Sequence, residues 1–253
     1  MDILRYWTSD DFEISSYKWH LEDRKTKVYT TSGSDNSGLC TYTYNELGFR
    51  GDSLNKKGLK VMSLGCSLTE GVGVNDNETW PAQLCSHIDN SVNFNFGTGG
   101  RSNDFITRCL LSFFELIKPD LVVILYTYKH RREIYTNTSG VEPYIPGQSW
   151  GYLEETIEGR NVQKLRDMLH NDNEDFINWY KNHLLITNFL QNKNVPFVWN
   201  GSLLETSYTD NNNFDYDYNQ FLDFGKDGSH PGIKHNEIYG KKLYEYIYKN
   251  NLI

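Results

Sequence analysis

The chain has 253 residues, 38% of them hydrophobic, and a net charge of −8 from 33 acidic and 25 basic side chains. This length supports one sizeable hydrophobic core, so one main domain is expected rather than two. The acidic balance argues against non-specific nucleic-acid binding, which needs a basic face. The N-terminal residues lack the pattern of a secretory signal, and no apolar stretch approaches the roughly 18 residues that span a bilayer. A soluble, cytoplasmic protein with no membrane partner is therefore expected.

The four cysteines, at positions 40, 66, 85 and 109, form no C-x-x-C pair. Reduced thiols in a cytosol-like compartment are the expected state, and a structural zinc site is not expected.

The composition, rich in Asn, Lys and Tyr, is typical of an A·T-rich viral or bacterial genome. A component of a viral particle is therefore an alternative location, and the oligomeric state stays open.

Residues 1–57 are polar and aromatic, with turn signals at 32–38 and no helical period. They are expected to form an N-terminal extension that packs on the main domain. From residue 58 the pattern changes, and residues 59–64 and 91–96 are predicted strands that each end at a glycine. Between them, a helix is predicted over 79–88, with a threonine as its N-cap and a proline in its first turn.

The next helix is predicted from apolar residues spaced i, i+3, i+4, i+7 and i+11 from Ile106. Ser102 is its predicted N-cap, and Pro119 ends it. Residues 120–126 form a continuous apolar run, as expected for a strand of a parallel sheet covered on both faces.

The second half of the chain begins with an irregular stretch from 128 to about 172, predicted to be an insertion. Helices are predicted over 175–192 and 234–249, and a fourth strand over 195–199. Strands and helices alternate with short links, so a parallel α/β sandwich is predicted for residues 58–253. In such sheets, functional groups gather beyond the carboxyl ends of the strands.

Candidate catalytic residues follow several of these elements. Ser67 lies in the stretch GCSLTEG, at a strand-to-helix turn where helix-terminal N–H groups can bind an oxyanion. A serine nucleophile needs a base that a third group orients, and Asp227 and His230 lie in one compact turn before the last helix. Gly100 follows the second strand, and its backbone N–H can approach a substrate carbonyl because no side chain intervenes.

Each of these features also has a simpler interpretation. Ser67 can be a helix N-cap, and His230 can be a turn residue. Cys66 is a rival nucleophile because a thiol is more reactive, although its neighbouring position should aim it towards the core.

Two longer stretches leave alternatives open. The basic run at 129–132 is either a solvated loop that pairs with acids such as Glu133, or a contact for an anionic substrate. Residues 214–221 alternate aromatic and polar side chains, which indicates either packing on the core or a sugar-stacking wall near His230.

Taken jointly, the motifs resemble those of the SGNH hydrolases, also called the GDSL esterase and lipase superfamily. Residues 65–71 resemble the first family motif, G-D-S-x-T-x-G, and residues 95–100 resemble the second, N-x-G-x-x-G. Residues 227–231 match the last motif, D-x-x-H-P, and residues 45–51 resemble a lead-in seen in some members. The resemblance spans about residues 45–250. It implies a three-layer α/β/α sandwich of flavodoxin-like type, with a central, mostly parallel sheet of about five strands.

The resemblance also implies a catalytic triad, with Ser67 as nucleophile, His230 as base and Asp227 as the partner that orients it. The backbone N–H groups of Ser67 and Gly100 are the implied oxyanion donors. Cys66 replaces the family's usual aspartate, which lies outside the catalytic machinery, so little is lost.

A second departure matters more, because the family's asparagine after the third strand, a third oxyanion donor, is missing. Counting from Pro119 puts Lys129 about where it should be, and Lys129 is the predicted replacement. Asn103, Thr127 and Arg132 are predicted to contact the substrate, and Asn103 or Thr127 could also reach the oxyanion. Losing one such donor typically costs on the order of 100- to 1,000-fold in rate.

The leading hypothesis is a serine esterase that hydrolyses a small acyl ester. An O-acetylated carbohydrate is the favoured substrate, from family habit and the aromatic loops, and no metal or organic cofactor is implied. Because the asparagine is missing, a non-catalytic binding or structural module on the same scaffold is an alternative hypothesis. An O-acyltransferase is a further alternative, which would need a site that excludes water.

Overall fold

The computed structural model describes residues 26–30, 39–136, 140–144, 168, 171–204 and 207–253. Its strands are, in chain order, β1 (Thr26–Thr30), β2 (Leu39–Thr43), β3 (Arg50–Gly51), β4 (Leu59–Leu64), β5 (Ser91–Asn95), β6 (Leu121–Leu125), β7 (Arg132–Thr136), β8 (Gly140–Tyr144) and β9 (Phe197–Asn200). Its α-helices are α1 (Ser67–Glu70), α2 (Trp80–Ser86), α3 (Asn103–Ile117), α4 (Asp172–Asn192) and α5 (Ile233–Lys249).

Within the described residues, the central sheet has five strands in the order β3-β5-β4-β6-β9. The short edge strand β3 runs antiparallel to β5, and the other neighbours are parallel. In the register, Ser63 of β4 lies opposite Asn95 of β5, and Leu64 lies opposite Ile124 of β6. The carboxyl ends of the four parallel strands therefore meet at one edge of the sheet.

Helices cover both faces of this sheet and make the three layers. Side chains alternate along a strand, so Val61 and Met62 of β4 enter different clusters. Met62 joins buried residues of α3 and α4, including Trp179. Val61 joins buried residues of α2 and α5, where Trp80 and Tyr239 meet edge to face with ring centroids 5.4 Å apart. The predicted fold class, a three-layer α/β/α sandwich with a mostly parallel five-stranded sheet, is confirmed.

Capping side chains determine where three of the predicted helices begin. The Thr79 hydroxyl accepts from the N–H of Ala82 and begins α2. The Ser102 hydroxyl likewise accepts from Phe105 and begins α3. Helix α4 begins three residues earlier than predicted, at Asp172, because the Asn171 side chain caps it.

The predicted N-terminal extension contributes directly to the main sheet, because Arg50 and Gly51 pair with β5. The boundary after residue 57 stays a prediction. The turn signals at 32–38 lie outside the described residues. The predicted insertion at 128–172 contains the antiparallel pair β7–β8, and much of its remainder also lies outside the described residues.

Candidate active site

The nucleophile turn, defined as residues 65–74, leaves β4 and forms the four-residue helix α1. Ser67 is the first residue of α1 and is partly exposed. Cys66, the N-cap residue, is 1% exposed and packs with Leu68 and Tyr218 in the core between the sheet and α5. Among the residues that the structure describes, none forms a hydrogen bond with the Ser67 hydroxyl. The two adjacent nucleophiles are thus separated by burial, with Cys66 in the core as predicted.

Arg50 holds the end of the nucleophile turn. Its guanidinium donates to the carbonyls of Glu70 and Gly71 at 2.8 and 2.7 Å, and to the carbonyl of Val74 at 3.0 Å. It also pairs with Asp76 at 2.8 Å, and Arg50 is 1% exposed. Carbonyls at a helix end have no partner within the helix, and a cation there is favourable. One buried side chain therefore satisfies several orphan acceptors around α1.

Glu70 connects the nucleophile turn to the glycine cluster after β5. One carboxylate oxygen accepts from the Gly99 backbone N–H at 2.7 Å, and the other accepts from the Tyr44 hydroxyl at 3.1 Å. A Cβ added to Gly99 would lie 3.9 Å from the Ser67 Cβ. The turn that contains Gly100, whose φ is +71°, is thus held close to the candidate nucleophile.

Asn95 makes a second connection between the same two segments. Its side-chain oxygen accepts from the Gly97 N–H at 2.9 Å, and its amide donates to the carbonyl of Thr69 at 2.8 Å. A Cβ on Gly97 would lie 2.1 Å from the Glu70 nitrogen, so only glycine fits there. The Asn and Gly of the second motif therefore position the turn.

The base loop, defined as residues 223–232, precedes α5. His230 Nδ1 lies 2.5 Å from an Asp227 carboxylate oxygen, and the Ser229 hydroxyl donates to that same oxygen at 2.6 Å. The Gly225 N–H closes the loop onto the His230 carbonyl at 2.7 Å. Burial alone would raise the pKa of Asp227, but the hydrogen bonds from Ser229 and His230 outweigh it and leave that pKa below its usual value.

The base loop docks on the nucleophile turn at Gly73. The Lys226 N–H donates to the Gly73 carbonyl at 2.8 Å. Gly73 has φ +86°, and a Cβ there would lie 2.3 Å from an Asp227 carboxylate oxygen. The structure thus brings Ser67, Asp227 and His230 to the same edge of the sheet, with no hydrogen bond yet joining Ser67 to His230. A hydrogen bond between a nucleophile and its base often tightens only when substrate binds.

Asn103 and Thr127, two predicted substrate contacts, bind each other. The Asn103 amide donates to the Thr127 carbonyl at 3.1 Å, and its oxygen accepts from the Thr127 N–H at 3.0 Å. Both residues are 0% exposed. In this arrangement Asn103 holds the backbone at the end of β6, and a substrate contact for either residue stays a prediction.

The basic run forms ion pairs with α4. The Lys129 ammonium lies 3.2 Å from Asp172, and Arg132 lies 3.3 Å from Asp175. Lys129 as an oxyanion donor and Arg132 as a substrate contact therefore stay predictions, since each cation has a carboxylate partner.

Glu133, the acid expected to pair with the basic run, instead binds Arg108 of α3. The Arg108 Nε and Nη2 groups donate to its two oxygens at 3.0 and 2.6 Å. Both side chains are almost fully buried, at 4% and 1% exposure. This pair fixes the start of β7 on α3.

The aromatic stretch at 214–221 divides between packing and an open cavity. Phe214 and Tyr218 are buried and contact Tyr239 of α5. Tyr216 instead lines a cavity of about 250 Å³, together with Trp199 and other residues at the end of β9. Packing on the core thus accounts for part of the alternation, and the sugar-stacking interpretation stays a prediction for Tyr216.

Arg50 and Glu70 are two of the site-supporting residues to which the sequence interpretation gave no role. Both lie inside motifs, Arg50 in the lead-in at 45–51 and Glu70 in GCSLTEG. Their charges were the available signal, because a charged residue inside an otherwise buried motif needs a partner.

In the part of the chain that the structure describes, no group of three or more His, Cys, Asp or Glu side chains is placed to hold a metal ion. None of the described helices combines the length and apolar character needed to cross a membrane.

Solved structures similar to this chain include esterases and lipolytic proteins of the G-D-S-L family. A psychrotrophic esterase from Pseudoalteromonas sp. aligns over 76% of this chain and 98% of its own, at 15% identity and a TM-score of 0.46. A family 3 carbohydrate esterase from Clostridium thermocellum aligns over 77% and 97%, at 15% identity and a TM-score of 0.37. A carbohydrate acetylesterase family member from Sinorhizobium meliloti aligns over 75% and 97%, at 13% identity and a TM-score of 0.34.

No family model matches the sequence, and no curated protein is significantly similar to it. At such low identities and scores, the structural similarities say nothing about the reaction. The fold assignment depends on the strand order and the two helical layers.

Proposed function

We propose that the protein is a serine esterase of the SGNH type, which hydrolyses a small acyl ester with Ser67, His230 and Asp227. The observation that carries the proposal is the docking of the base loop on the nucleophile turn, through the 2.8 Å hydrogen bond from Lys226 to Gly73. A serine alone, or an Asp–His pair alone, would be unremarkable. Their joint presence at one sheet edge supports the proposal, because nucleophilic catalysis requires a serine, a base and an orienting group close together.

In the proposed mechanism, the Ser67 hydroxyl attacks the ester carbonyl while His230 Nε2 takes its proton. The Asp227 carboxylate binds Nδ1–H, so Nε2 is the nitrogen that is free to accept the proton. The same carboxylate stabilises the imidazolium that forms. His230 then protonates the leaving alcohol. A water molecule, deprotonated by His230, releases the acid from the acyl-serine.

The backbone N–H groups of Ser67 and Gly100 are the proposed donors to the oxyanion. Glu70 supports this role because it binds the Gly99 N–H and keeps the glycine turn beside the serine. Lys129 is the proposed third donor. Its ammonium would have to leave Asp172, whose side chain is 91% exposed, and an exposed pair of this kind is worth at most about 1 kcal/mol.

An O-acetylated carbohydrate is the proposed substrate class. The cavity of about 250 Å³ at the end of β9 supports it, because Tyr216 and Tyr208 offer ring surface and Asn213 and Asp215 offer polar atoms. Strand β9 lies two positions from β4 in the sheet, which is about 10 Å at the usual strand spacing. This spacing supports a sugar in the cavity that presents its ester to Ser67.

Acetate release from 4-nitrophenyl acetate and from acetylated glycans tests the proposal. We expect Ser67→Ala to reduce kcat by at least ~10³-fold without changing the melting temperature, because only the nucleophile is removed. A fluorophosphonate probe should label the wild type at Ser67 and leave the variant unlabelled.

Cys66→Ala is the matched control, since it alters the adjacent, buried nucleophile. Full activity in Ser67→Ala would disprove the proposed mechanism. Loss of activity in Cys66→Ala with retained stability would show that the Cys66 thiol, and not the Ser67 hydroxyl, is the nucleophile.

A non-catalytic binding module is the second candidate, favoured by the absence of a hydrogen bond between Ser67 and His230 among the described residues. It predicts no fluorophosphonate labelling and no turnover of any acetyl ester. Saturable binding of the unmodified glycan would then be the activity to measure.

A further inference from the structure

Arg131 differs from its basic neighbours in its partners. Lys129 and Arg132 each have an aspartate of α4 within ion-pair distance. Arg131 has no carboxylate partner among the described residues. Its Nη1 donates to the Thr127 hydroxyl at 3.0 Å, and its guanidinium carbon lies 4.9 Å from the centroid of the Tyr128 ring.

The contacts of Arg131 leave most of its donors unused. A guanidinium has five N–H groups in a planar fork. One of them binds Thr127, and the Nε atom is buried without an acceptor in the described part of the chain. A buried donor without an acceptor is costly, so a guanidinium kept in this state indicates an acceptor from outside the described residues, and a substrate group would supply one.

The position of Arg131 is set by residues that adjoin the nucleophile turn. Leu64 lies opposite Ile124 in the sheet, and Ser67 and Thr127 each follow their strand residue by three positions. A Cβ on Gly65 would lie 2.9 Å from the carbonyl oxygen of Leu125. The segments that follow β4 and β6 are therefore still in contact beyond the Leu64–Ile124 pair. The residue that anchors Arg131 thus leaves the same sheet edge as the candidate nucleophile.

Tyr128, the other contact of Arg131, provides a second link to that region. Its ring packs against the buried cluster that contains Cys66 and Leu68, the residues on either side of Ser67. Arg131 is therefore held by Thr127, which leaves the same sheet edge as Ser67, and by Tyr128, which packs against the cluster that contains the neighbours of Ser67.

We propose that Arg131 binds a carboxylate on the substrate, so that the preferred ester carries an anionic group close to the reacting carbonyl. The inference rests on the proposed esterase function and names the substrate class of that site. A carboxylate matches the guanidinium fork and accepts two parallel N–H bonds, which a neutral hydroxyl or amide cannot do as well. An acidic sugar ester and a dicarboxylic half-ester share this chemistry.

Two pairs of esters test the inference, each a carboxylate and its amide counterpart. In the first pair, 4-acetoxybenzoate and 4-acetoxybenzamide, the charge is on the alcohol side. In the second, ethyl hydrogen succinate and ethyl succinamate, it is on the acyl side. We expect kcat/KM to favour the carboxylate in at least one pair, by on the order of 10- to 100-fold, the range for a charge-assisted hydrogen bond.

Substitution of Arg131 should remove this preference. Arg131→Gln is expected to bring the ratio close to one, and Arg131→Lys to retain part of it because an ammonium keeps the charge without the fork. Lys181→Gln, on the exposed side of α4, removes the same charge and is expected to leave the ratio unchanged. No preference in either pair, or a preference that survives Arg131→Gln, would overturn the inference.

Binding measurements separate a failure of this inference from a failure of the proposed function. If none of the four esters is hydrolysed, calorimetry with Ser67→Ala and the same esters decides the question without turnover. Tighter binding of a carboxylate than of its amide, lost when Arg131→Gln is added, would support the inference while the esterase proposal fails. Equal binding of both members of each pair would refute it.

Discussion

The nucleophile turn and the base loop are held in different ways. The nucleophile turn is fixed by buried side chains from distant parts of the chain, with Arg50 on its carbonyls and Tyr44 and Asn95 beside it. The base loop is closed by its own backbone, and Asp223 at its start accepts from the N–H groups that begin α5. It also exposes Phe224, which is 62% accessible.

This difference indicates which half of the site adjusts. A segment that many buried groups hold cannot shift without breaking several of them, whereas a loop closed largely by its own hydrogen bonds can move once its Lys226–Gly73 bond to the turn opens. The hydrogen bond between Ser67 and His230 is therefore expected to form by movement of the base loop or of the His230 side chain, while the serine keeps its position.

The largest expected effect is on the base loop. Asp227→Asn should lower kcat by on the order of 10⁴-fold, because an amide no longer holds the imidazole in the tautomer that accepts the Ser67 proton. Turnover of 4-nitrophenyl acetate measures this loss. Asp89→Asn, at an exposed position after α2, is the control and should stay active. Wild-type turnover in Asp227→Asn would remove Asp227 from the mechanism.

The second effect is on the stability of the nucleophile turn. Arg50→Met should lower the free energy of unfolding by about 3–5 kcal/mol, since it leaves buried carbonyls and Asp76 without their donor. Urea unfolding gives the value. Lys56→Met breaks an exposed ion pair with Asp52 and should cost less than about 1 kcal/mol. Similar losses in the two variants would contradict the role given to Arg50.

A substitution where the two regions meet should separate geometry from stability. Gly73→Ala and Gly228→Ala both put a Cβ on a positive φ, at +86° and +72°, and each should cost about 1–2 kcal/mol of stability. Only at Gly73 does the Cβ meet Asp227, whereas nothing lies within 4 Å at Gly228. We expect Gly73→Ala alone to lower kcat by on the order of 100-fold, as a displacement of about 1 Å does.

Equal activities in these two glycine variants, measured at matched stability, would show that the contact between Gly73 and Asp227 does not set the position of the base.

The smallest effect is the pH dependence of the base loop. Although burial opposes them, the hydrogen bonds from Ser229 and His230 hold the pKa of Asp227 below its usual value, so the folded state favours the carboxylate. Its contribution to stability is therefore complete above about pH 4 and is lost as the pH falls through the folded pKa. The difference in unfolding free energy between wild type and Asp227→Asn should shrink as the pH falls below about 4 and through the folded pKa of Asp227. A constant difference would mean that the carboxylate gains nothing from Ser229 and His230.

Features with a local cause could be predicted from the sequence. Thr79 and Ser102 cap their helices because their hydroxyls reach N–H groups three residues ahead, and Pro119 follows the end of α3. The apolar strands β4 and β6 were evident from composition, and their parallel order followed from the alternation with helices.

Features with a distant cause could not be predicted. Strand β3 has two residues, too few for any periodicity, and is defined only by its pairing with β5. The partners of Arg50 and Lys129 lie about 20 to 45 residues away in the chain, so their charges indicate a need for partners without identifying them. The Asp227–His230 pair was predictable because one turn contains both, but its docking on Gly73 was not.

The burial of Cys66 supplies a probe of the nucleophile turn that is independent of catalysis. Its thiol is 1% exposed, so a thiol reagent such as 5,5′-dithiobis(2-nitrobenzoate) reaches it only when the turn opens. In the regime where the turn recloses faster than the reagent reacts, the modification rate gives the free energy of that local opening. The cysteine beside the serine thus reports how firmly the turn is held, even in variants whose serine has been removed.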